Sequence, residues 1–293
     1  MEKRKHEESV RIWGKEGNWA LLWSRCIVIA VMKMKPCDPI GVFDSGLGGL
    51  TVAAQIRKEL PNETVLYFGD SARNPYGEKP REVVETYSME IVEAFARQHV
   101  KAVVIACNTA TSAAAPLLRE HFDFDIIGME PALKVAADLK TPSIIAVWAT
   151  NLTLHQEKFE RLKNRFQSGH EIIRVSCPGL VRLVEEDRLD DLEAVDAALR
   201  DYLAQSRNAE FIVLGCTHFL FFRQRLQQLA GPNVKIVDGN EGTVRHLKHL
   251  LEEKHLLNPD SSHREDRLQI DNSDPSQIDL SWKLVHRMEE TYE

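Results

Sequence analysis

A chain of 293 residues with 43% apolar and 28% charged residues has the make-up of a globular protein long enough for two domains, and excludes fibrous and wholly disordered architectures. Its net charge of −7 gives no general attraction for nucleic acid or an acidic membrane surface. The best apolar run, Cys26 to Met32, falls well short of the roughly 18 to 20 residues that span a bilayer, and its flanks do not form a secretory signal. A membrane protein is thereby excluded and a cytoplasmic one expected. Five cysteines, Cys26, Cys37, Cys107, Cys177 and Cys216, are an odd number without C-x-x-C spacing, so free thiols are expected rather than a disulfide framework or a zinc knuckle.

The ends of the chain differ from its middle. Residues 1–36 carry a net charge of +4 and three of the five tryptophans, and read as a helical or disordered extension, or as sequence upstream of the real start. Short apolar runs then alternate with helical patterns. The runs Ile40 to Phe43, Thr64 to Phe68, Ala102 to Ala106, Asp125 to Gly128, Ser143 to Ala149, Glu171 to Val175, Phe211 to Leu214 and Val234 to Val237 read as buried strands. After Pro80, the spacing of Val83, Tyr87, Ile91 and Phe95, joined by Val84, predicts an amphipathic helix. From Asn258 the acidic tail predicts a loop, one short strand at 267–271 and a last helix at 276–288. Strand and helix taking turns defines an α/β fold of mainly parallel sheets.

In open α/β sheets ligands bind beyond the carboxyl ends of strands, and three of those ends carry chemistry. Asp44 ends the first strand and leads into the turn Ser45-Gly46-Leu47-Gly48-Gly49, which fits neither a dinucleotide fingerprint nor a P-loop. Cys107-Asn108-Thr109 comes after the third strand. Gly215-Cys216-Thr217-His218 comes after the seventh, 109 positions further on. A lone cysteine at a strand end is usually an inert small hydrophobe, but two in equivalent turns of two halves point to chemistry. His218 is placed to exchange a proton with Cys216, and Asp44 to do so for Cys107. Two opposed thiols suit either thiol redox work or proton transfer on both faces of one carbon. The wide sequence separation favours the second, the arrangement a racemase needs.

The stretches Phe43 to Val52, Tyr67 to Gly77, Ala106 to Thr111 and Gly215 to His218, in order and at fitting separations, resemble the glutamate racemases of the aspartate/glutamate racemase superfamily. The resemblance covers about Pro39 to Leu257. It implies two similar α/β domains, residues 37–131 with 238–257 and residues 132–237, facing a pseudo-symmetric cleft, with 258–293 as a tail. It implies interconversion of L- and D-glutamate without a cofactor, for peptidoglycan synthesis. By the same resemblance Cys107 is the base for the D-enantiomer, Cys216 the base for the L-enantiomer, and Asp44 and His218 are their helpers. Ser45, Pro75, Tyr76, Gly77, Asn108, Thr109 and Thr217 match positions that hold the substrate, and Thr150 and Thr153 fit its substrate-binding threonines. The small-molecule substrate is the expected partner, with neither nucleic acid nor membrane, and a homodimer is the candidate assembly.

The chain also departs from the family pattern. In Val147-Trp148-Ala149-Thr150 a small residue is usual where Trp148 or Ala149 stands, so Trp148 is in a position to alter the cleft floor, and Phe219-Leu220 replaces the common Tyr-Pro. Glu185 is either an acidic site residue or a solvated helix charge beside Glu186 and Asp187. Cys26, Cys37 and Cys177 read as incidental or structural thiols. His246, His249 and His255 share one helical stretch without a known metal-ligand pattern, and no metal site is expected. No lysine occupies a strand-end motif suited to pyridoxal phosphate. A racemase for aspartate or another small acid, a non-catalytic binding or regulatory protein on the same scaffold, and a thiol oxidoreductase are the competing readings.

Overall fold

The computed structural model describes residues 34–129, 132–155, 157–262 and 267–292. The expectation for residues 1–33, including Cys26, lies outside the described residues. Among those described, nine strands form two sheets, and every pairing is parallel.

The first sheet contains β1 (Ile40–Asp44), β2 (Val65–Gly69), β3 (Ala102–Ile105), β4 (Asp125–Gly128) and β9 (Leu268–Asn272), in the order β4-β3-β1-β2-β9. The second contains β5 (Ser143–Ala149), β6 (His170–Ser176), β7 (Phe211–Leu214) and β8 (Lys235–Asp238), in the order β6-β5-β7-β8. With β5 as the counterpart of β1, the first four strands of each half have the same order. β1 and β5 both have their sequence successor on one side and the strand after that on the other. The switch points between β1 and β3 and between β5 and β7 are therefore equivalent, and they are where ligands settle in such sheets. The apolar runs behave as parallel strands should, since β1, β2, β3 and β7 are buried along their whole length.

The helices that cover the first sheet include α1 (Leu50–Glu59), α2 (Arg81–Arg97) and α3 (Asn108–His121), which come after β1, β2 and β3. In α2 the buried face is carried by Val84, Ser88, Ile91, Val92 and Phe95, while Val83 and Tyr87 are half-buried at its margin. The face is thus rotated from the predicted stripe, and Phe95 packs where Gly41 of β1 leaves room, its ring 2.9 Å from where a Cβ would stand. The second half is covered by α4 (Ala132–Leu139), α5 (Asn151–His155), α6 (Glu157–Phe166), α7 (Pro178–Glu185), α8 (Leu192–Gln205) and α9 (Arg223–Ala230). Its core joins Leu133, Ala136 and Ala137 of α4 to Ile145, Val147 and Ala149 of β5. Trp148 alternates to the other face. Its indole Nε1 donates to Ser206 Oγ at 2.8 Å and its ring meets Tyr202 edge-on, so it packs on α8 rather than in a cleft floor.

The chain returns to the first half through α10 (Asn240–Glu253). The tail then adds β9 to the free edge of β2 and lays α11 (Ile278–Tyr292) on α1. The strand of the tail is therefore an edge strand of the first sheet. Far from the carboxyl ends of the strands, Lys101 is buried with its ammonium donating to Glu63, to the Pro36 carbonyl and to the Leu256 carbonyl at 2.9 Å. Glu63 Oε1 accepts from Asn258 N at 2.9 Å. This ion pair ties the chain entering β1 to the chain leaving α10. Lys101→Met strands a buried carboxylate and should cost about 3–5 kcal/mol in urea unfolding. Adding Glu63→Gln, which keeps an acceptor for Asn258, should cost less than the sum of the two single changes.

Candidate active site

Asp44 ends β1 fully buried, and the turn behind it is drawn tightly around its carboxylate. Gly46 N–H donates to Oδ1 at 2.8 Å, the Ser45 hydroxyl lies 3.4 Å from the same oxygen, and Thr217 from the other half donates to Oδ2 at 3.1 Å. Burial pushes this carboxyl up to about 6, against the pull of His218 and the Gly46 N–H.

Cys107 comes directly after β3 and Ala106, and is the N-cap of α3. Its sulfur accepts from Ala110 N–H at 3.4 Å and lies 3.6 Å from Ser45 Oγ. Burial pushes its thiol up to about 12, with the anionic Asp44 adding to the rise and the Ala110 and Ser45 contacts opposing it. Cys216 lies just past β7 but opens a 3₁₀ segment, Thr217–Phe222, rather than an α-helix. Its partner is a side chain, His218, whose Nδ1 lies 3.6 Å from the sulfur. Burial pulls His218 down, but its bonds to Cys216 and Glu185 outweigh that and hold its proton well above the ordinary imidazole range. The two thiols thus occupy equivalent places in the two sheets and unlike electrostatic settings.

Glu185, at the end of α7, points into the site while Glu186 and Asp187 are exposed. One oxygen, Oε1, accepts from His218 Nε2 at 2.7 Å and from Leu47 N–H at 2.8 Å. The glycines of the turn make room for this. A Cβ on Gly46 would stand 2.1 Å from Glu185 Oε1, and one on Gly48 2.2 Å from His218 Nδ1.

The remaining expected residues gather at the same end of the sheets. Thr109 Oγ1 lies 3.2 Å from Thr150 and 3.3 Å from Thr153, which are 2.9 Å apart, so three hydroxyls from both halves meet. Gly77 rests against Thr150, with its Cβ position 3.0 Å from Thr150 Cβ. Asn108 is half-buried at the start of α3, Tyr76 is buried and Pro75 is exposed. Phe219 and Leu220 are buried core residues. Cys177 is buried with its thiol near the Val175 carbonyl, whereas Cys37 is exposed.

Two supporting groups belong to the Tyr67 to Gly77 stretch but have no site role in the sequence reading. Asp70, directly after β2, accepts from the Tyr76 hydroxyl and, at 2.7 and 3.0 Å, from Arg73, which also reaches Glu90 and stacks 4.1 Å over Tyr87. Tyr67 donates to the Gly46 carbonyl at 2.7 Å. Asp70 stands just past a strand end, and that position is its signal in the chain; Tyr67 lies inside β2, where only the resembling stretch marks it. Among the described residues no group of three or more His, Cys, Asp or Glu is placed to hold a metal ion, and no helix is long and apolar enough to cross a membrane.

Two similar α/β halves with a cysteine at each equivalent switch point define the racemase class of site, and comparison with known proteins agrees. A family model described as Asp/Glu/Hydantoin racemase matches residues 50–247. The glutamate racemase of Bifidobacterium longum (strain DJO10A) is 50% identical over 265 residues, 86% of this chain and 100% of its own. The crystal structure of glutamate racemase from Thermus thermophilus in complex with beta-chloro-D-alanine is 37% identical with a TM-score of 0.72, covering 85% of this chain and 94% of that one. The Escherichia coli glutamate racemase in complex with L-glutamate and the activator UDP-MurNAc-ala is 31% identical with a TM-score of 0.73, covering 86% and 95%. The chain belongs to the Asp/Glu/Hydantoin racemase family, on its glutamate racemase branch, and is an amino-acid racemase.

The raised Asp44 carboxyl has a measurable consequence. A folded value of about 6 above the unfolded 3.8 means that the folded state holds this proton more tightly, so the contribution to stability is full below 3.8 and lost as pH rises through 6. Asp44→Asn should therefore gain stability relative to the parent between pH 4 and 7, by at most about 3 kcal/mol. Urea unfolding at intervals across that range measures it; a difference independent of pH contradicts the assignment.

Proposed function

We propose that this chain interconverts L- and D-glutamate without a cofactor by moving the Cα proton between Cys107 and Cys216, and so supplies D-glutamate for peptidoglycan. The observation that carries the reading is the placement of the two thiols. They lie just past β3 and β7, equivalent strands of two halves with one strand order, and are linked across the cleft through Ser45, Asp44 and Thr217. Glutamate as substrate is supported by the relatives, one of which was solved with L-glutamate.

Acting on L-glutamate, Cys216 as thiolate takes the Cα proton from one face while the thiol of Cys107 gives its proton to the other. The C–H bond broken and the C–H bond formed lie on opposite sides of one carbon. D-glutamate runs the same path backward. After each turnover the proton has changed sides, and Asp44 beside Cys107 and His218 beside Cys216 are the groups that restore the starting distribution. The high thiol value of Cys107 favours a free protein that keeps the proton on Cys107, ready to be given to the L-enantiomer's far face. The hydroxyl group of three, Thr109, Thr150 and Thr153, suits one substrate carboxylate. Asn108, Thr217 and the turn at Ser45 suit the other groups around Cα. Such fixed dipoles stabilise the developing carbanion most in a cleft with little water, and both thiols are under 10% exposed.

Solvent deuterium incorporation at Cα, followed by NMR beside optical rotation, tests this. The parent should racemise both enantiomers with deuterium in the product, and kcat/KM should be equal in the two directions because the equilibrium constant is one. Cys107→Ser and Cys216→Ser should each lose at least about a thousandfold in racemisation. Turnover of aspartate in preference to glutamate would correct the substrate, and a single variant keeping activity within tenfold of the parent would sink the two-thiol mechanism.

A further inference from the structure

The second crossing between the halves runs from β8 through Asp238 and Gly239 into α10, whose first residue is Asn240. Asn240 is 2% exposed, and its backbone N–H donates to Asp238 Oδ1 at 2.9 Å. Its side chain does not serve its own helix, because Gly239 is the cap residue and no side-chain cap bond is present. Nδ2 instead donates to Thr51 Oγ1 on α1 at 3.0 Å. Oδ1 is buried without a hydrogen-bond partner among the described residues, which opposes stability and marks the residue as one that packing alone does not explain.

Thr51 passes the contact on. Its hydroxyl, fully buried, donates to the Gly48 carbonyl at 2.9 Å. Gly48 is the wall on which the His218 ring stands, at the Nδ1 atom that meets Cys216. The neighbouring Leu47 N–H shares Glu185 Oε1 with His218 Nε2. A shift of the turn would therefore loosen both nitrogens of the imidazole.

We propose that Asn240 is a positioning residue, which through Thr51 pins the Gly48 wall and so seats His218 against Cys216 and Glu185. It touches neither substrate nor thiol and acts only through the turn. The inference deepens the two-thiol reading and rests on it. The titratable groups that face His218 are Cys216 from its own segment, Glu185 from α7 and Asp44 from β1. The pin leaves them unchanged and sets their distances.

The test uses the full chain with Asn240→Ala, Thr51→Val and Thr51→Ser, reading kcat and KM for both enantiomers together with an NMR titration of the His218 imidazole, its signal assigned by its loss in His218→Gln. Asn240→Ala and Thr51→Val should lower kcat about tenfold to a hundredfold with little change in KM, the scale expected when a catalytic group is misplaced. The His218 titration should move to lower pH as its two raising contacts loosen. Thr51→Ser, which keeps the hydroxyl, should behave as the parent, and the combined Asn240→Ala and Thr51→Val change should cost little more than either alone. Retention of kcat within twofold in both loss variants, or a fall in kcat with the His218 titration unmoved, overturns the inference. A parent that does not racemise defeats the underlying reading instead, and the titration still decides whether the pin seats His218.

Discussion

One carboxylate oxygen, Glu185 Oε1, accepts a hydrogen bond from each half of the molecule, Leu47 N–H from the first and His218 Nε2 from the second. Much of the local design is a consequence of that bridge. The first half must bring bare backbone to it, which is why Gly46 and Gly48 stand where side-chain atoms of Glu185 and His218 leave no space for a Cβ. The second half must keep a buried imidazole protonated, which its contacts with Glu185 and Cys216 accomplish. A charge-assisted bond in a buried setting is stronger than its surface counterpart, so the bridge ties the turn after β1 to α7 and the segment after β7.

The symmetry of the fold is broken by its chemistry. The order β4-β3-β1-β2 is repeated by β8-β7-β5-β6. Yet β3 leads into a regular α-helix whose N-terminal N–H meets the Cys107 sulfur, whereas β7 leads into a 3₁₀ turn that brings His218 back to Cys216. One thiol is faced by a carboxylate and the other by an imidazolium. In the two-thiol mechanism proposed above, one site gives a proton while the other takes it, and unlike neighbours suit that division of roles.

Much of this is legible in the chain. Parallel strands buried on both faces must be apolar runs, so their ends are sharply marked, and Asp44, Cys107 and Cys216 sit at or just past the ends of such runs. The hidden part depends on contacts between distant segments. Glu185 is one of three consecutive acidic residues with Glu186 and Asp187, and only the fold turns it inward while leaving the other two exposed. Trp148 occupies a position next to the site in the chain, but strand alternation sends its ring to Tyr202 on α8 and Ser206 just past it, so it is not part of the cleft floor. The tail strand is visible as a strand, though its place beside β2 is a long-range pairing that no local pattern encodes.

The most direct measurement is a crystal structure of the protein soaked with D-glutamate at low temperature. The account predicts Cα between the two sulfurs, with Cys107 Sγ and Cys216 Sγ on opposite faces and each within about 3.5 Å of it. An amino acid held with both sulfurs on one face, or with one of them out of reach of Cα, contradicts it.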